Sequence, residues 1–81
     1  MQPAALITGG GSGIGAATAR LLANDGWLVG LIGRRVEPLA QVALETGGIA
    51  SPGDAADAEH LATAVSRLTQ AGGTLAGLVC C

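Results

Sequence analysis

ALITGGGSGIGAATARLL, residues 5–22, decides how this chain folds. Residues 9–15 hold five glycines in seven positions, between a short apolar run and an alanine-rich segment. The run at residues 4–8, bounded by Pro3 and Gly9, has the length and apolarity of a buried strand. Beyond the glycines, Ile14, Ala17, Leu21 and Leu22 stand at i, i+3, i+7 and i+8. That spacing predicts a helix from residue 13 to about residue 24 with one apolar stripe. Glycines between a strand and a helix have a physical use. A helix N-terminus carries unpaired N–H groups and roughly +0.5 of an elementary charge from its aligned peptide dipoles. An anion held there must come close to the backbone. Glycine removes the Cβ that would block it and permits positive φ in the turn. The stretch therefore reads as a phosphate cradle, and GSGIGA at 11–16 fits G-x-G-x-x-A loosely.

Outward from that loop the chain keeps alternating. Residues 27–33, WLVGLIG, are apolar without alternation, as in a strand covered on both faces. Pro38 suits a helix's first turn, Leu39, Val42 and Ala43 supply its stripe, and Gly47-Gly48 stop it. Residues 49–53 predict a very short strand, with Pro52 marking its end or an edge. Asp57 caps the next helix, whose Leu61, Ala64, Val65 and Leu68 share one face. Gly72-Gly73 close it, and TLAGLVCC at 74–81 begins a fourth strand. The order β-α-β-α-β-α-β implies right-handed crossovers and a Rossmann-type, doubly wound α/β fold with a parallel sheet. It places the first two helices on one sheet face and the third on the other.

Composition narrows the function. The 81 residues are 49% hydrophobic and 12% charged, with net charge −2. That slightly acidic balance, without a basic run, argues against nucleic acid as a partner. No segment approaches the ~20 apolar residues of a membrane span, and the start lacks a signal peptide's basic segment. Cys80 and Cys81 are adjacent and form no disulfide framework, so a reducing, cytoplasmic setting is expected. A single His60 and two terminal cysteines cannot close a zinc tetrahedron, and His60 reads as an exposed helix residue.

Residues 8–15, TGGGSGIG, resemble the T-G-x-x-x-G-x-G signature of the short-chain dehydrogenase/reductase family, and the likeness runs the length of the chain. The resemblance implies that Gly9, Gly13 and Gly15 are the motif glycines, with Gly11 in the same loop and Thr8 bracing the turn. The backbone around Ser12, Gly13 and Ile14 would then face the pyrophosphate of a nicotinamide cofactor. The second strand ends GRR, residues 33–35. A carboxylate there selects NAD, whereas an Arg accommodates the 2′-phosphate of NADP. Gly33 stands where NAD-preferring members tend to carry Asp, and Arg34 and Arg35 follow. NADP is expected, with NAD as the alternative. GDAAD at 53–57 resembles the family's D-V-x-D element, which implies that Asp54 approaches the adenine amino group beside the backbone of Ala55. Read from the residues alone, the alternatives are that Asp54 is a turn residue bonding its own backbone and the arginines solvate a loop.

The family's hydride chemistry uses a Tyr with a Lys one helical turn on, and a Ser. This chain contains no Tyr and no Lys, and Ser12, Ser51 and Ser66 all precede the region of the family's Ser. Where the family continues LVNNAG the sequence reads LVCC, which suggests truncation or a shifted frame. Residues 1–81 are thus expected to be the N-terminal, dinucleotide-binding part of such a protein, with the catalytic half absent and no turnover alone. A non-catalytic regulatory module and a non-functional fragment are the alternatives. An open sheet edge and apolar face predict self-association.

Overall fold

In the computed structural model, which describes residues 2–11 and 13–80, seven elements alternate along the chain. They are β1 (Gln2–Thr8), α1 (Gly13–Asn24), β2 (Leu28–Gly33), α2 (Val36–Thr46), β3 (Ile49–Pro52), α3 (Ala58–Gln70) and β4 (Gly73–Val79). The strands are all parallel, in the order β3-β2-β1-β4. Helices cover both faces, which is why the strands read as unbroken apolar runs. Ile7, Val29 and Leu31 pack with Ala16, Ala19, Leu39 and Val42 of α1 and α2. Ala4, Leu6 and Ile32 pack on the other face with Ala64 and Leu68 of α3. No described helix is long and apolar enough to cross a membrane.

The helix α1 turns a different face to the sheet from the one its hydrophobic spacing predicts. Ile14 and Leu21 are 78% and 73% exposed, and Ala17 faces out with them. Gly15, Ala16 and Ala19 are buried instead, with Leu22 and Ala23 packed at the margin. The cause is proximity. The first turn seats directly on the Gly9 backbone, and only small residues fit between helix and sheet at that separation.

Strand limits also shift from the sequence reading. β1 begins at Gln2, so Pro3 lies inside a central strand. There it pairs only with β4, since pairing with β2 starts at Ala4. β1 is locally an edge at that point, where a missing N–H is tolerated. Gly73, read as a helix stop, is the first residue of β4, and Gly72 with φ +91 makes the turn. Opposite the step from Ala4 to Ala5, β4 carries one extra residue, Ala76, as a bulge.

The helix ends follow their capping residues. Gly47 ends α2 at φ 69, with its N–H donating to the Ala43 carbonyl. The Asp57 carboxylate caps α3, its Oδ1 accepting from the N–H groups of Glu59 at 2.8 Å and His60 at 3.3 Å. Asp57→Ala is expected to cost about 1 kcal/mol of stability, read as a lowered midpoint in urea denaturation.

Candidate functional site

In a parallel sheet the carboxyl ends of neighbouring strands share one rim, and the loops that leave them meet there. At this rim the loops after β1, β2 and β3 enclose a cavity of about 320 Å³. Thr8, Gly9 and Gly11 contribute from the first loop, Arg34 and Arg35 from the second, and Asp54 and Ala55 from the third. These seven residues, from stretches of sequence up to 47 positions apart, are all expected site residues, and all of them line this cavity. Ile32, Pro38 and Leu39, for which the sequence suggested no site role, complete its lining with Gly33 and Gly53. Gly13, Ile14 and Gly15 stand outside that lining, at the start of α1. Ser12, between the two groups, lies outside the described residues, as does Cys81.

Each glycine of the loop answers a different demand. Gly9 and Gly13 adopt φ of 66 and 56, the left-handed region that side chains disfavour. A Cβ on Gly10 would stand 2.5 Å from Cδ2 of Leu31, so this residue packs onto β2. A Cβ on Gly11 would come within 3.1 Å of the Leu39 nitrogen and the Pro38 ring, so this residue packs against the first turn of α2. Gly15 lies against the Gly9 carbonyl. The Gly9 N–H donates to the Ile32 carbonyl at 3.0 Å, and the Thr8 hydroxyl donates to the Val79 carbonyl of β4 at 3.4 Å.

The polar side is built on one carboxylate. Oδ1 of Asp54 accepts from the Ala56 N–H at 2.9 Å, and Oδ2 pairs with Nη2 of Arg34 at 3.2 Å. Asp54 thus bonds its own turn and also lines the cavity. The Ala56 bond above all, and then the Arg34 guanidinium, hold its carboxyl below the ordinary value against some desolvation. His60, read as a plain helix residue, is exposed but bonded: its Nδ1 accepts from the Asp54 N–H at 2.8 Å. The signal was its place three residues after the cap Asp57. From there a side chain commonly reaches back to an upstream backbone N–H. The Gly53 N–H, donating to the Gly33 carbonyl at 2.8 Å, ties the third loop to the second. Among the described residues, no group of three or more His, Cys, Asp or Glu is placed to hold a metal ion.

Known proteins share this chain's sequence pattern and its fold. The profile of the short chain dehydrogenase family matches residues 3–81. The chain belongs to that family. It is 36% identical to a short-chain type dehydrogenase/reductase from Mycobacterium ulcerans, with a TM-score of 0.85 over 100% of this chain and 33% of that one. Against a 3-ketoacyl-(acyl-carrier-protein) reductase from Brucella melitensis, solved in complex with NADH, identity is 30% and the TM-score 0.83, covering 94% and 32%. A probable 2,4-dienoyl-CoA reductase from Caenorhabditis elegans is 50% identical over 52 residues, 59% of this chain and 17% of that protein. The chain therefore spans about a third of the solved structures and under a fifth of the curated reductase. Short-chain dehydrogenases are oxidoreductases that bind nicotinamide dinucleotides, and this chain's four-stranded parallel sheet with three helices is their Rossmann-like architecture.

Proposed function

We propose that this chain is the cofactor-binding portion of a cytoplasmic short-chain dehydrogenase/reductase and takes NADP in preference to NAD. The observation that carries this reading is the convergence of three loops on one cavity. Thr8, Gly9 and Gly11 of the glycine turn line it together with Arg34, Arg35 and Asp54. The residues fit the group. Gly9 and Gly13 take the positive φ of the turn, and the open space around a Cβ built on Gly13 leaves room for a diphosphate at the positive end of α1. A volume of about 320 Å³ lies within the ~300–1,000 Å³ of small-molecule sites. Gly33 offers no carboxylate to the adenosine ribose, whereas Arg34 offers a planar fork suited to a 2′-phosphate.

The bound nicotinamide would supply hydride exchange with a carbonyl or alcohol carbon. With no Tyr and no Lys in the sequence, the chain supplies no acid/base pair of the family's kind, so it holds the cofactor without turning it over. The register sets Leu75 beside Ala4 and Leu78 beside Leu6, on the α3 face of the sheet. Both leucines remain exposed there, at 43% and 60%, and support self-association through that face.

Calorimetric titration of the chain with NADPH and with NADH tests the proposal. Binding of both, tighter for NADPH and without turnover of added carbonyl compounds, is the expected result. No heat with either nucleotide would overturn it.

A further inference from the structure

We propose that His60 is a positioning residue for the adenine end of this cavity, holding the turn at Asp54, and through it Arg34, only while its imidazole is neutral. The inference rests on the dinucleotide reading above and adds a residue to it.

The geometry forms a relay of bonds. Nδ1 of His60 accepts the Asp54 N–H at 2.8 Å, which requires an unprotonated Nδ1 and places the ring proton on Nε2. The ring also lies against the loop backbone: a Cβ on Gly53 would be 2.9 Å from its Cγ and Nδ1. From Asp54 the relay continues through Oδ1 to the Ala56 N–H at 2.9 Å and through Oδ2 to Arg34 at 3.2 Å. Asp54 and Arg34 line the cavity, whereas His60 does not. The imidazole thus acts on the site only by fixing a residue that belongs to it.

Protonation reverses the contact. An imidazolium has N–H donors on both nitrogens, so Nδ1 would confront the Asp54 N–H donor to donor. The charged groups around the ring are Asp54 in the loop before α3, Arg34 bound to it from the loop after β2, and Asp57 and Glu59 at the start of α3. The carboxylates keep the protonated ring nearby, and it is the donor-to-donor clash that turns Nδ1 away from the amide. The Asp54 N–H then loses its acceptor, and the turn loses its fixed orientation.

ADP-ribose is a suitable probe, because it fills the adenine end and its diphosphate keeps its charge as imidazoles titrate. From about pH 8 to about pH 5 its affinity for the chain is expected to fall about fivefold, the worth of one ordinary hydrogen bond. His60→Asn places an amide oxygen near the Nδ1 position and cannot take up a proton. That chain should match the native affinity at the upper pH and lose none of it on acidification. His60→Ala should bind about fivefold more weakly throughout. Identical pH profiles for the native and His60→Asn chains, or undiminished binding by His60→Ala, would overturn the proposal.

A second readout needs no ligand. The amide resonance of Asp54 should move with acidification in the native chain and stay fixed in His60→Asn, and a stationary native resonance would overturn the proposal. If ADP-ribose fails to bind any of the chains while that resonance moves as expected, the dinucleotide reading fails and the positioning of Asp54 by His60 stands.

Discussion

Gly15→Ala is expected to lower the stability of the chain by about 2 kcal/mol and to weaken dinucleotide binding more than tenfold. The added Cβ would press into the Gly9 carbonyl oxygen, with the Gly9 carbonyl carbon at 2.9 Å and the Gly10 Cα at 3.2 Å. All three are backbone atoms, so no rotamer change relieves the contact. Overpacking of this kind costs up to about 3 kcal/mol, against which alanine returns about 1 kcal/mol of helix propensity. A domain of this size has roughly 4–12 kcal/mol of total stability, so the loss is a large share. Binding is expected to suffer more than folding because the atoms that must move belong to the glycine turn proposed to hold the diphosphate. Gly13→Ala separates the two effects. Its φ of 56 is strained for alanine, but nothing lies within 4 Å of the new Cβ. It should cost stability through conformation alone, about 1 kcal/mol, and leave Gly9 in place. Urea denaturation and nucleotide titration of both variants provide the check. A Gly15→Ala chain as stable as the native one would show that α1 does not rest on the loop.

The same contact explains what the sequence did and did not disclose. Glycine spacing showed where the strand ends and the helix starts, because turn chemistry is local. It could not show which face of α1 goes inward. Apolarity favours Ile14 and Leu21, but the separation set by Gly15 admits only Ala16 and Ala19. The inward faces of α2 and α3 were legible, since Leu39 and Val42, and Ala64 and Leu68, meet the sheet at ordinary distance. The bulge at Ala76 and the placement of Pro3 depend on register with a partner strand, which no single segment encodes. The cavity's parts were visible one at a time. The pairing of Arg34 with Asp54 follows only once β3 is known to lie beside β2. His60 escaped notice because exposure is the ordinary fate of a helix histidine, and its bond runs to a backbone atom.

That pairing sets the outcome at the other end of the cofactor. Arg34→Asp is expected to weaken NADPH binding about 100-fold while changing NADH binding by less than about threefold, which reverses the preference. In the native chain Arg34 already has a partner, and a 2′-phosphate must compete with Asp54 for it. The competition is unequal. The Arg34 and Asp54 side chains are 77% and 41% exposed, and a water-screened pair of this kind contributes little. A phosphate offers three strong acceptors and a fork-to-fork geometry, so it draws the guanidinium away at small cost. The substitution then does two things at once. It removes the fork, and it sets a second carboxylate beside Asp54, where a phosphate would meet negative charge and a ribose hydroxyl would meet an acceptor. Arg34→Ala takes away the fork without adding the repulsion, and should fall between the native chain and Arg34→Asp for NADPH. Titrations at two salt concentrations sharpen the test. The NADPH preference proposed for the native chain should shrink as salt rises, whereas the preference expected of Arg34→Asp for NADH, resting on a hydrogen bond, should change less. Equal losses for both nucleotides on Arg34→Asp would mean that this arginine supports the loop without reading the phosphate.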